Sequence, residues 1–154
     1  MKLAEALLER KGAKVKIDSL QERLEENALV QDGDTPSEAP ESLVAKLREA
    51  VARLESLIRQ INAANNTARL PSGASVSEAI VRRDMLKLER QALERMVAAM
   101  STRHFRFGRN EVKFVATIGQ AKVRQEIDRL SKEWRELDAQ IQAVNWLTEV
   151  RTGE

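Results

Sequence analysis

Near the end of the chain Val123, Ile127, Leu130, Trp134, Leu137, Ile141 and Val144 follow one another at alternating spacings of four and three without a break. At 3.6 residues per turn such a series lines one face of a helix and makes a coiled-coil seam, a spacing that no strand can use. This predicts a helix over about residues 120–150, with Asp128 and Lys132 as an exposed pair one turn apart. A second series opens after Pro40 and runs Val44, Leu47, Val51, Leu54, Ile58 and Ile61 at the same spacings. Asn65 holds the next position, where a polar side chain often fixes register or partner number. Residues 41–69 therefore read as a second seam-forming helix, with all six apolar positions on its inner face.

Proline marks the breaks. All three prolines lie in two short segments, QDGDTPSEAP and LPSG, that separate the helical patterns. Before the first of them Leu3, Leu7, Ile17, Leu20, Leu24 and Ala28 recur at helical spacing, which predicts a helix over 2–30 that Gly12 and Lys14 interrupt. After the second, Ser75 and Glu78 stand in the S-x-x-E arrangement that satisfies free amide hydrogens at a helix start. The helix that follows, 76–100, spreads Ile80, Val81, Met85, Leu86, Leu88, Leu93, Met96, Val97 and Met100 over more than one stripe. Such a helix touches neighbours on two sides, and we expect it at the centre of the fold.

Residues 101–119 lose the helical period. EVKFVATI alternates, and Phe105 and Phe107 alternate with His104 and Arg106 ahead of Gly108-Arg109-Asn110, so a small β-hairpin is expected over 103–118. A two-stranded hairpin is marginal in water and must lie on the helices or pair with one from another subunit. The fold class is thus mainly α: long amphipathic helices in an antiparallel bundle, a single domain over 1–154, with one β element between helices three and four. No internal repeat argues a solenoid. Seams this regular are often completed by another copy, so a homo-oligomer is expected.

The side-chain inventory excludes most chemistry. Without cysteine there is no disulfide, thiol nucleophile, zinc finger or iron–sulfur cluster. His104, the one histidine, lacks the Glu-x-x-His pairing of a di-iron bundle because position 101 is serine. Neither a G-x-S-x-G elbow nor a phosphate-cradling glycine loop occurs. We expect no enzyme, no metal and no cofactor. The longest uncharged stretch is the ten residues Ala139 to Thr148, against about 20 for a membrane span, and the start carries no secretory signal, so a cytoplasmic protein is expected.

Charge is nearly balanced, 26 Lys+Arg against 24 Asp+Glu, but not evenly spread. Residues 101–119 hold four basic groups and one acidic group. Arg103, Arg106, Arg109 and Lys113, interleaved with Phe105 and Phe107, form a candidate nucleic-acid surface in which cations meet phosphates and rings stack on bases. The same pattern equally describes a strand with one wet face. A second cluster comprises Asn62, Asn65 and Asn66 with Arg82 and Arg83, a candidate for an anionic ligand or an interface. Its plainer reading is an inter-helix salt bridge, because half-buried guanidinium groups at Arg83 and Arg90 need acidic partners. Trp146 falls off the seam and either caps the core or anchors a contact to another chain.

Taken in order, MKLAEALLER, RRDML, EVKFVATI and IQAVNW resemble a bacterial family of uncharacterised small helical proteins, some of them labelled septicolysin. The resemblance covers nearly the whole chain, although KGAKVKI departs from the usual opening, and it supplies no catalytic residues. The label implies a pore-forming, membrane-active protein. A chain with no Trp-rich tip and no long apolar hairpin fits that less well than an oligomeric structural or interaction role, with itself as partner, nucleic acid second and membrane last.

Overall fold

The computed structural model describes residues 1–102 and 114–150. Four helices account for most of them: α1 (Leu3–Glu26), α2 (Pro40–Thr67), α3 (Val76–Thr102) and α4 (Gln120–Leu147). The chain divides into two compact units, one of Met1–Ala68 with the stretch from Ala143 onward, the other of Arg69–Gln142.

In the first unit α1 and α2 pack antiparallel. Leu3 and Ala6 at the start of α1 meet Ile61 and Ala64 at the end of α2, with Val150 closing the cluster. Toward the other end Leu20 meets Leu43 and Ala50, with Ile17, Leu24 and Leu47 around them. Glu9 and Arg53 form an ion pair across the two helices between these clusters. The seam of α2 is thus Leu43, Leu47, Ala50, Leu54, Leu57, Ile61 and Ala64, and Val44, Val51 and Ile58 are exposed at its edge. Half of the expected seam is displaced by one residue. Small Ala50 packs against Leu20 in the interface, and the larger Val51 beside it is exposed.

Helix α1 ends four residues short of the expected boundary because Asn27 stops it. The buried Asn27 side chain donates from Nδ2 to the Arg23 carbonyl (2.9 Å), while its Oδ1 accepts from the Ser37 hydroxyl (2.8 Å) and the Glu38 N–H (3.0 Å). Arg23 and Glu38 pair over the same turn. One amide therefore satisfies three groups, and Ala28 is left exposed. Gly12 does not interrupt the helix. A Cβ built there meets nothing within 4 Å, so Gly12→Ala removes unfolded-chain freedom at no steric cost and should stabilise the fold by roughly 0.5–1 kcal/mol. Chemical denaturation checks this; an unchanged or lowered midpoint would contradict a continuous α1.

The second unit joins α3 and α4 in an antiparallel pair held outside by Arg82–Glu133 (2.7 Å) and Arg83–Asp138 (2.9 Å). Val76, Ala79, Leu86 and Val97 of α3 and Val123, Leu130 and Ile141 of α4 are buried. The α4 seam is the one its spacing predicts, with every member buried or half-buried. Among the described residues no strand of the expected β-hairpin is found. Residues 103–113 lie outside the described ones, and Phe114–Ile118 carries no strand, with Phe114 and Val115 exposed.

The helices instead carry an internal repeat that the sequence did not disclose. Leu57-x-x-Gln60-Ile61-x-Ala63-x-Asn65 at the end of α2 recurs as Leu137-x-x-Gln140-Ile141-x-Ala143-x-Asn145 at the end of α4. Glu5-Ala6, Arg10 and Leu20 of α1 recur as Glu78-Ala79, Arg83 and Leu93 of α3. Structure matches sequence at each step. Glu5 accepts a hydrogen bond from the Lys2 N–H (2.7 Å), as Glu78 does from the Ser75 N–H (2.7 Å). Lys2 makes an antiparallel bridge with Glu149, and Ser75 makes the equivalent one with Arg69. Val150 N–H donates to the Met1 carbonyl, and Leu70 N–H to that of Ala74, both at 2.9 Å. The ion pair Glu9–Arg53 reappears as Arg82–Glu133 with its polarity reversed. Each repeat is a helical hairpin, and each β-bridge ties the start of one helix, α1 or α3, to the segment that follows another, α4 or α2.

Acid should loosen both repeats. Hydrogen bonds from Arg23, Lys2 and Arg129 hold Glu38, Glu149 and Glu126 below the usual carboxylate range of 4.5, and the Ser75 backbone N–H does the same for Glu78. A pKa lower in the folded state contributes stability above the unfolded value that is lost as pH falls through the folded one. The thermal midpoint should be flat above about pH 5 and drop steadily below about pH 4. A midpoint constant down to about pH 3 would contradict these pairings.

Candidate functional site

Charges on the outer side of the α3–α4 pair form a connected series. Arg82 Nη2 donates to Glu133 Oε1 (2.7 Å), the other oxygen of Glu133 accepts from Arg129 Nη1 (3.2 Å), and Arg129 Nη2 reaches Glu126 Oε1 (2.6 Å). Arg83 donates from Nη1 to Asp138 (2.9 Å) and from Nη2 to Asp84 (3.1 Å). Only 24% of the Arg83 side chain is exposed. Burial works against its charge, but the hydrogen bonds to Asp138 and Asp84 outweigh burial and keep the guanidinium pKa above its ordinary value. Both arginines proposed for an anionic ligand thus face carboxylates already. An anion arriving at Arg83 would have to displace Asp138 and sit beside the charge it displaced.

Beside Arg82 lies an open cleft of about 530 Å³, lined also by Ser72, Gly73, Glu78 and Leu137. Its acid is engaged as well, since the Glu78 carboxylate accepts from both the N–H and the hydroxyl of Ser75. A second cleft of about 440 Å³, between Met96, Ala99 and Met100 on one side and Phe114 and Val115 on the other, is mostly apolar. Among the described residues no group of three or more His, Asp or Glu is placed to hold a metal ion.

The other candidates fall as follows. Asn62 and Asn66 are exposed and Asn65 half-buried in the last turns of α2, in the first unit, whereas Arg82 and Arg83 belong to the second. Trp146 does not cap the core: it is 56% exposed, next to the still more exposed Leu147. Arg103, Phe105, Arg106, Phe107, Arg109 and Lys113 lie outside the described residues.

Two features take their meaning only from the folded chain. Asn145 is buried, and its Oδ1 has no hydrogen-bond partner among the described residues; only the repeat, in which it corresponds to Asn65, marks the position. The second is the outer face of α3. Val81, Met85 and Leu88 are 49–61% exposed, directly opposite the buried face. Their apolar character was legible, but the second neighbour expected for them is missing from this unit.

Residues 10–150 match a family of unknown function, DUF6847. The fold is also that of a solved crystal structure described as a functionally unknown conserved protein from Corynebacterium diphtheriae. The two are 35% identical and superpose with a TM-score of 0.91 over 98% of this chain and 99% of that one. Neither description carries the septicolysin label that the sequence resemblance implied. No curated protein matches the chain.

Proposed function

The chain belongs to DUF6847, a family of unknown function, and on that footing we propose that it serves as a non-catalytic helical assembly module, an oligomer-forming structural or protein-interaction protein. The observation that carries this reading is the run of large apolar side chains left exposed along the outer face of α3, Val81, Met85 and Leu88. Contiguous apolar surface on a folded chain marks a place where another surface docks. The use made of charge supports the same reading. Every described carboxylate or guanidinium whose pKa is displaced owes the displacement to an ion pair or a helix cap, the pattern of groups employed in holding a structure. No described helix is long and apolar enough to cross a membrane, so pore formation finds no support in them.

Size-exclusion chromatography with light scattering, reading 260 and 280 nm across the peak at low and high salt, tests this function. The expected result is a mass above that of one 17.4 kDa chain with a pure protein spectrum. A single-chain mass with excess 260 nm absorbance that high salt strips away would overturn it in favour of the basic segment 103–113 as a nucleic-acid surface.

A further inference from the structure

Helix α3 carries two seams on opposite faces. The inner one, Val76, Ala79, Arg83, Leu86, Arg90, Leu93 and Val97, is buried or half-buried. The outer one, Glu78, Val81, Met85, Leu88, Ala92 and Arg95, keeps the same strict alternation of three and four, and every member is exposed. Such a seam is the geometry by which one helix packs along another.

From its charge pattern we infer that this outer face is the contact between two copies of the chain, α3 running antiparallel to the partner's α3 about a two-fold axis. The inference rests on the assembly reading above and names its surface. Centred between Leu86 and Lys87, the pairing sets Met85 on the partner's Leu88 and Val81 on the partner's Ala92. The seam closes at each end with Glu78 opposite the partner's Arg95. Along one flank Arg82 comes beside the partner's Glu89, and along the other Asp84 comes beside the partner's Gln91. Each of these contacts occurs twice by symmetry, and none opposes like charges. Arg82 is free to serve two carboxylates, since its side chain is 56% exposed while it holds Glu133 and a guanidinium has five donors. Shifting the register by one heptad would bring Arg95 against Met85, so the sequence favours one alignment.

The internal repeat supplies the control. At the same positions α1 has Glu5, Leu8, Gly12, Val15, Ser19 and Glu22. There the centre is a glycine, a hydroxyl replaces Ala92, and an antiparallel pairing would oppose two glutamates at each end. Only α3 has a complete, self-complementary face, so the two hairpins have diverged where the partner binds.

Sedimentation equilibrium with the full chain tests the inference through three variants. Wild type should associate to twice the 17.4 kDa chain mass, and Leu88→Lys, which alters an exposed side chain, should weaken association about tenfold or more while its helical circular dichroism is unchanged. Arg82→Glu and Glu89→Arg should each associate more weakly than wild type. Mixed together they should form a heterodimer preferred about tenfold over either homodimer, because both flank contacts then regain opposite charges. Native mass spectrometry of an isotope-labelled mixture reads that preference. A statistical mixture, or a Leu88→Lys protein as associated as wild type, overturns the α3 contact while leaving assembly through another face intact. A wild type that is a single chain at every concentration overturns both.

Discussion

Leu130→Asp should leave the chain unfolded at room temperature, or lower its thermal midpoint by about 15 °C or more. Leu130 lies at the middle of the α4 seam with no solvent exposure. Truncating a leucine in such a position costs about 2–5 kcal/mol, and a carboxylate placed there must also be stripped of water or protonated. Together these approach the whole stability of a domain, on the order of 5–15 kcal/mol. Leu137→Asp, two turns further along at a half-buried seam position, should cost only about 1–3 kcal/mol, because its side chain reaches solvent without disrupting the packing. Circular dichroism melts of both variants decide the matter. Wild-type melting for Leu130→Asp would remove α4 from the core.

The clips of the two repeats should differ in cost although their contacts are alike. Leu70 and Val150 are equally buried, and each N–H makes the same 2.9 Å bond to the opposite strand of its bridge. Leu70 lies between α2 and α3, joined to Ala74 through Pro71-Ser72-Gly73, with Gly73 at φ +88° making the turn. That clip cannot open without disturbing the start of α3, so Leu70→Asp should cost about 5 kcal/mol. Val150 brings a smaller side chain than Leu70 to its cluster, and losing it with its backbone bond should cost about 3–4 kcal/mol for Val150→Asp. Denaturant titration of the two variants should give that order. A Val150→Asp protein less stable than Leu70→Asp would show that the clips are not equivalent in the way the repeat implies.

How legible these features were follows from how each is encoded. The α4 seam is spelled by large side chains at every position, and it could be read outright. In α2 the inward position is occupied by Ala50 beside the larger Val51, so a pattern weighted by size selects the wrong neighbour. The Ser75–Glu78 cap was plain from its residue types, whereas Lys2–Glu5 does the same work without a capping hydroxyl and was invisible. The repeat stayed hidden because α1 and α3 correspond in one register and α2 and α4 in another, the connecting segments differing in length. Only the bridges Lys2–Glu149 and Arg69–Ser75 align both halves at once. EVKFVATI carries the alternation of a strand, but alternation describes only a strand's faces, and the described part, Phe114–Ile118, forms none. For the site, composition removed most chemistries, and the two stripes of α3 were visible. Which stripe the chain itself covers depended on tertiary packing.

Methyl NMR of the four methionines against protein concentration tests the central claim, assembly through exposed helix faces, at the residue level. Met85 stands at the centre of the outer seam of α3, Met96 at its flank, and Met1 in the Leu3–Ile61 cluster within the first unit. The Met85 resonance should move most as concentration rises, Met96 less, and Met1 not at all. A Met85 resonance that stays fixed while the solution mass grows, or stays fixed because the mass never grows, would contradict it.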